Sequence, residues 1–496
     1  MAIDHSPDVM VIGGGNAGLC AAISAREAGA DVLVLDSAPP EAAGGSSRYA
    51  TGTVRIAYSG MADVQKLVAD LDEDQAASTN FGSYSVESYL DDLGRLSEYR
   101  TDPDLADVVA RQSFETAQWL SEHGLRFVPM FGRQAFTVDG RPTFWGGVVV
   151  EIVGGGAGMV DGLTRYARSI GVRVEYDAPS RRLIERDGRV RGAVVGTAAG
   201  ERHIDAGAVV IATGGFEGNT EWRARYLGPT WDLARTRGSV FTTGDGIRMA
   251  LDVGAAPSGH WSGCHAVAWE ANAPVYPTIA ESSGMSRHSY PLGIMVNNRG
   301  ERFVDEGRDF RNYTYGLYGG EVLAQPGHVA WQIFDAKVAH LLREEYSGRT
   351  VTKVVADTME DLAARMDGMD ADGLLRTVAE FNAAVRLDRP FEPTVRDGRG
   401  TVGLRVPKSN WANPLDAGPF RAFAVTCGVS FTYGGLRIDS HGRVLTFAGR
   451  PVPGLYAAGS CAGGLFYTSL GSGSSLTAGA VLGRRAGATA ALATKV

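Results

Sequence analysis

Short, wholly apolar runs alternate along this chain with longer stretches whose apolar residues recur at helical spacing. Val9–Ile12 is four apolar residues in a row, as in a strand buried on both faces. Residues 16–28 are alanine-rich with a helical period, and Gly29 stops them. Val32–Leu35 is a second apolar run, closed by Asp36. After Pro39-Pro40 and the loop Gly44-Gly45-Ser46-Ser47, a polar, acidic, helical excursion runs from Met61 to about Arg100. A helix follows from Leu105 to His123, ended by Gly124. Strands are expected at 148–153, 172–176 and 208–212, and a hairpin at 182–195 around Asp187-Gly188. From about His260 to Thr432 the texture changes to aromatics, arginines and short polar loops, with a helix over 374–385. The end returns to strands and glycines: GLYAAG at 454–459, GSGSS at 471–475, then a small-residue helix to Ala491. Glycine-rich sites at both ends predict an α/β, Rossmann-like nucleotide domain. It is assembled from 1–259 and 433–496 around an inserted α+β domain at 260–432.

Gly13, Gly15 and Gly18 carry the spacing G-x-G-x-x-G between the first strand and first helix. The first allows the tight turn, the second lets a diphosphate reach bare backbone, and the third lets helix pack on strand. First-turn amides and the helix dipole suit the diphosphate, and Asp36 is placed to accept hydrogen bonds from a ribose. This unit alone does not separate FAD from NAD. A second glycine run, 154–158, follows another strand, but Met159 stands where the fingerprint needs its third glycine. That run reads as structural.

At 496 residues the chain exceeds one small core, and two or three domains are expected. Net charge is −8 with no basic block, which argues against nucleic acid. No apolar run reaches the roughly 20 residues that cross a bilayer. The first strand begins too early to leave room for a secretory signal, so the cytoplasm is the expected compartment. Cys20, Cys264, Cys427 and Cys461 form no CxxC pair, and the nine histidines show no metal-ligand spacing.

The motifs GGGNAG, GGSS, ATGGFEGN, GDGIRMA, VNNRGERFVDE, FTYGGLRID, GLYAAG and SSLTAG, in this order, resemble the fumarate reductase and succinate dehydrogenase flavoprotein family. That family includes 3-ketosteroid Δ1-dehydrogenases and tricarballylate dehydrogenases, and the latter are nearest in texture. The resemblance implies bound FAD, a cap domain inserted into the nucleotide domain, and a hydrogen-transfer reaction across a carbon–carbon bond beside a carboxylate or carbonyl. Carried onto this sequence, Gly13, Gly15, Gly18 and Asp36 hold the ADP part, and Asn16, Ala17 and Ala178 are further cofactor contacts. Gly45, Ser46, Ser47 and Gly52 approach diphosphate and flavin, and Ala212, Thr213 and Gly214 pass beneath the diphosphate. Gly459 and Ser460 face the ribityl chain, and Ser475 and Leu476 the flavin's pyrimidine edge. No histidine occurs in residues 45–49, where covalent members attach the cofactor, so the FAD is expected to be non-covalent.

Four positions depart from the family pattern. Ser460 replaces a common Glu, Phe431 replaces the His of fumarate reductases, Ser469-Leu470-Gly471 lacks their clamping Arg, and Phe310 takes the place of their proton-donating Arg. His265 matches the surviving member of the fumarate-site set and is the candidate polariser. Arg287, Arg308, Arg311 and Tyr433 are the candidates for clamping a substrate carboxylate or moving a proton, with Arg308 placed ahead of Arg311 and Tyr433. The many rings at 260–320 tilt the site toward a larger or less charged substrate than fumarate. The expected function is an FAD-dependent dehydrogenase or reductase, tricarballylate dehydrogenase-like, working on a small carboxylate or enone-like substrate with a separate electron acceptor or donor. A ketosteroid- or enoate-type enzyme is the alternative, and a non-catalytic flavin electron carrier is the alternative of another class.

Overall fold

Four parallel pairings carry the nucleotide half of the chain. In this computed structural model, which describes residues 6–144, 146–282, 284–348 and 350–495, Val9–Ile12 pairs with Ala208–Ile211 on one side and Val32–Leu35 on the other. Pro451–Ala457 extends the sheet beyond the former and Arg173–Glu175 beyond the latter, with Arg443–Leu445 antiparallel at the edge. The central strands are buried along their whole length, which is why they read as unbroken apolar runs.

The first helix, Asn16–Glu27, packs along the C-terminal helix, Ser474–Ala493. Small residues make that approach possible. A Cβ on Gly483 would lie 2.4 Å from the Ala17 carbonyl oxygen, and one on Gly487 2.0 Å from that of Ala21. The predicted hairpin is present as Ser180–Arg186 and Arg189–Thr197, joined through Asp187 and Gly188 at φ 53° and 68°. The acidic excursion forms three helices, Met61–Leu67, Glu73–Ser78 and Val86–Leu96. The next helix, Pro103–Glu122, starts two residues earlier than predicted because Asp102 caps it through the amides of Asp104 and Leu105.

The second glycine run is structural, for a reason that differs from the expected one. A Cβ on Gly158 would lie 2.1 Å from the Val153 carbonyl oxygen, just as one on Gly18 would lie 1.8 Å from that of Gly13. Close helix packing is therefore kept, and it is the first glycine of the fingerprint that Val153 replaces. The preceding strand, Val150–Ile152, belongs to a small antiparallel sheet. Gly156, whose Cβ would meet the Ser47 carbonyl oxygen at 2.0 Å, seats the helix Gly155–Ser169 against the turn Gly45–Tyr49.

The described chain divides into two units: Met1–Pro229 with Gly238–Cys264 and Ser430–Val496, and Thr230–Arg237 with His265–Val429. In the second, Ala330–Phe334 pairs antiparallel with both Ile294–Asn297 and residues 421–425. The helix Ala371–Ala384, capped by Asp370, packs Leu374 and Phe381 into the cluster formed by Ile294, Val296, Trp331 and Ile333.

Candidate active site

The N-terminal fingerprint is built as its spacing requires. Gly13, at φ +111°, comes so near Ala212 that a Cβ would sit 2.3 Å from its carbonyl oxygen. Gly15 is the first helix's N-cap residue and Ala17 is buried beneath Gly459. Asp36 is 5% exposed and accepts from the amides of Ala38 at 3.0 Å and Gly44 at 3.1 Å. It thus holds its own loop in place, while its main-chain oxygen accepts from the amide of Ala178. Asn16 accounts for both ends of its side chain: Nδ2 donates to the Leu476 carbonyl oxygen at 2.7 Å and Oδ1 accepts from the Cys20 thiol.

The Gly45–Tyr49 turn brings three serine and glycine positions to this point. The Asn16 amide donates to Ser47 Oγ at 3.1 Å, and Ser46 Oγ donates to Glu217 Oε1 at 2.7 Å. Nothing lies within 4 Å of a Cβ on Gly45. Gly52, by contrast, packs against the Gly155 backbone, where a Cβ would meet Cα at 2.7 Å. Gly214 adopts φ +75° beside Thr242, and Thr213 Oγ1 is buried with no hydrogen-bond partner among the described residues.

The late loops complete the first unit. Gly473, at φ 85°, starts the C-terminal helix at Ser474, and neither this helix nor the first has a side-chain cap. The Asn16 amide goes to Ser47 Oγ and the Ser474 amide to the Gly471 carbonyl oxygen, and the amides that follow them in each first turn suit an anionic or carbonyl ligand. Together with the unpartnered Thr213 hydroxyl and the open face of Gly45, they fit a flavin dinucleotide. Gly459, Ser460 and Ser475 line a hollow with Phe431, Thr432, Tyr433 and Phe466. Two residues here escaped the sequence reading. Arg55, fully buried, donates to the Ser472 carbonyl at 3.1 Å and the Gly146 carbonyl at 2.7 Å. Glu217 holds Ser46. The signal for Arg55 was a cation inside the apolar run Val54-Arg55-Ile56.

In the second unit, a cationic cluster gathers around two histidines. His265 lies edge-on to Tyr315 with centroids 4.8 Å apart, and His288 lies against the same ring at 5.1 Å. Gly316 makes this possible, since a Cβ there would sit 2.5 Å from the His265 ring. Burial first, and the positive charge of Arg237 second, hold His265 down at about 3. Burial holds His288 well below the usual imidazole range, assisted by Arg311, Arg343 and Arg237. Desolvation and the neighbouring Arg343 push the Arg311 guanidinium down to about 9. His288 Nε2 is buried without a hydrogen-bond partner among the described residues.

The other proposed chemical residues fall elsewhere. Arg308 is exposed. Arg287 is 1% exposed and engaged by Glu270 at 2.7 Å and by the Gly284 carbonyl at 2.6 Å. Glu306 is fully buried, bound by Arg302 at 2.5 Å and by the Met295 amide at 2.7 Å. Phe310 packs on Trp411. Of the sequence candidates, the second unit brings together His265 and Arg311, and adds His288, Arg237 and Arg343, which sequence reasoning did not single out. Tyr433 is buried in the first unit's hollow, its ring 5.6 Å from Phe431.

The FAD binding domain family matches residues 8–476. A probable fumarate reductase, Ifc3, of Shewanella frigidimarina (strain NCIMB 400) is 30% identical across 98% of this chain and 75% of its own length. The open conformation of a flavocytochrome c3 fumarate reductase superposes with a TM-score of 0.73 at 26% identity, covering 99% of this chain and 79% of that one. A 3-ketosteroid-Δ4-(5α)-dehydrogenase from Rhodococcus jostii RHA1, in complex with 4-androstene-3,17-dione, gives 0.71 at 26% identity, covering 98% and 97%. No helix among the described residues is long and apolar enough to cross a membrane. With the glycine fingerprint, the uncapped helix starts and these likenesses in agreement, the chain belongs to the FAD binding domain family and is an FAD-dependent oxidoreductase acting across carbon–carbon bonds, of the kind that includes fumarate reductases and ketosteroid dehydrogenases.

Proposed function

We propose that this enzyme dehydrogenates, or in reverse reduces, a polycarboxylate of the tricarballylate type. The observation that carries this reading is the crowding of Arg237, Arg311 and Arg343 around His265 and His288. Glu345 pairs with Arg343 at 2.8 Å and offsets part of this charge, and a ligand with carboxylates relieves the repulsion that remains. Neutral imidazoles donate hydrogen bonds without adding charge. Bound FAD supplies the hydride acceptor or donor. Gly13, Gly15, Gly18, Ser47, Thr213, Ser460 and the start of the C-terminal helix would hold it, without a covalent link. His265 polarises the carboxylate beside the reacting carbon, and Arg311 takes precedence over the exposed Arg308 as the group that moves the α-proton. A separate electron acceptor or donor completes the cycle.

The ring-rich surroundings favour the second reading, an enone or steroid substrate. Tyr290 and Tyr318 meet edge-on at 4.8 Å, and Tyr315 faces both histidines. An anaerobic screen decides between them. Flavin absorbance is followed after addition of di- and tricarboxylates, steroid enones and enoates. Bleaching of the oxidised flavin by a saturated tricarboxylate is the expected result. Bleaching by a saturated ketosteroid and by no polycarboxylate would overturn it.

A further inference from the structure

We propose that Glu217 is a positioning residue that decides whether Ser46 offers the cofactor a hydrogen-bond donor or an acceptor. The proposal rests on the reading of Ser46 as a cofactor-facing residue. Glu217 follows the strand Ala208–Ile211 by six residues and is fully buried. Ser46 Oγ donates to its Oε1 at 2.7 Å and accepts from the Ser239 amide at 3.2 Å. The arrangement is built with room cleared for it. A Cβ on Gly215 would lie 2.7 Å from Glu217 Oε2 and 2.3 Å from Thr432 Oγ1, and a Cβ on Gly238 would lie 2.6 Å from Ser46 Oγ.

A serine hydroxyl has one proton and two acceptor sites. While Glu217 is ionised, the Ser46 proton is committed to Oε1, and one acceptor site is committed to Ser239. What remains toward the cofactor is an acceptor. When the carboxylate takes up a proton from solvent, that proton can be donated to Ser46 Oγ. Both acceptor sites are then filled, and the serine's own hydrogen is freed to turn away from Glu217 and Ser239. Only one proton is gained and no bond between heavy atoms changes. An anionic diphosphate or a flavin carbonyl accepts hydrogen bonds, so the protonated state of Glu217 is the one that matches FAD.

The surroundings put this change within reach of ordinary pH. Burial pushes Glu217 up to about 7, against the opposing pull of the hydrogen bond from Ser46 and of the Arg223 charge. Among the described residues, the Arg223 charge pulls against that rise, and the Ser46 and Thr432 hydroxyls lie beside the carboxylate.

The test is FAD release from the holoenzyme on dilution, read by flavin fluorescence from about pH 6 to about pH 8, either side of that transition. A binding-linked shift of about one pKa unit corresponds to about a tenfold change in affinity. Wild type is expected to hold FAD about that much less tightly at the higher pH. Glu217→Gln, which has no proton to gain or lose in this range, is expected to flatten the profile. Ser46→Ala is expected to be weak and flat. An equal pH dependence in wild type and Glu217→Gln overturns the proposal. Wild-type affinity and profile in Ser46→Ala instead removes Ser46 from the cofactor site, and the reading beneath the proposal with it. A second measurement needs no variant: the infrared carbonyl band of a buried carboxylic acid should be present in holoenzyme at the lower pH and absent at the higher. Its absence throughout also overturns the proposal.

Discussion

Asn16 Nδ2 donates to the Leu476 carbonyl oxygen at 2.7 Å, tying together residues 460 positions apart. The amide sits at the start of the first helix, the carbonyl in the first turn of the last, and both are buried. One side chain thereby ties together the starts of the two helices, neither of which has a side-chain cap.

Removing that bond takes from the Leu476 carbonyl the second of its two hydrogen bonds, the helix's own bond remaining, at a cost of about 0.5–1.5 kcal/mol. Asn16→Ala should lower thermal stability and FAD affinity together. Asn16→Asp should be worse, because it sets a carboxylate against a carbonyl oxygen. FAD titration and a thermal melt check both; an aspartate variant as tight-binding as wild type would refute the account.

Asp36 accepts from two loop amides as well as facing the expected ribose. Asp36→Ala should therefore weaken FAD by about 1.5–3 kcal/mol and also destabilise the loop at 38–44. Limited proteolysis of the holoenzyme reads the loop, and flavin fluorescence reads the affinity. Equal FAD affinity in variant and wild type would take Asp36 out of the site.

Acid precipitation should leave the yellow colour in the supernatant, since residues 45–49 offer no histidine for attachment. Flavin retained in the pellet would contradict a non-covalent cofactor.

Fumarate should be a poor substrate. Phe431 lines the hollow, and Ser469-Leu470-Gly471 offers no arginine to clamp a carboxylate. In single-turnover flavin reduction by the best substrate found, Arg311→Ala should slow the step by about 10²–10⁴-fold, while exposed Arg308→Ala leaves it unchanged. An unslowed Arg311→Ala would exclude Arg311 as the proton group.

Acid should weaken the fold below about pH 6.5. The folded His265 and His288 stay neutral far below 6.5, whereas the unfolded chain protonates them there. Their stabilising contribution is full above that pH. It is lost as pH falls, by up to about 1.4 kcal/mol per unit for each histidine. Glu217 works in the opposite sense: raised from 4.5 to about 7, it keeps a proton the unfolded chain has released, so its contribution grows as pH falls through that window. Two histidines outweigh one carboxylate. Denaturation midpoints against pH should show a shallower acid loss in His265→Asn and His288→Asn than in wild type; unchanged slopes would refute the assignment.

What the sequence determined here is local. Gly13, Gly15 and Gly18 impose their turn through backbone sterics within six residues, and apolar runs such as Val9–Ile12 reveal buried strands because both faces exclude water. Asp102-Pro103 and Asp187-Gly188 mark a helix start and a turn through chemistry contained in two residues. The tertiary structure decided which charges meet. Arg308 and Arg311 are three positions apart and look alike in the chain, yet one is exposed and the other has its charge pressed against Arg343 and His288. Glu217 reads as an ordinary acid until Ser46, 171 residues away, is brought to it. Electrostatic character depends on desolvation and on partners distant in sequence, so a residue's type and local spacing do not carry it.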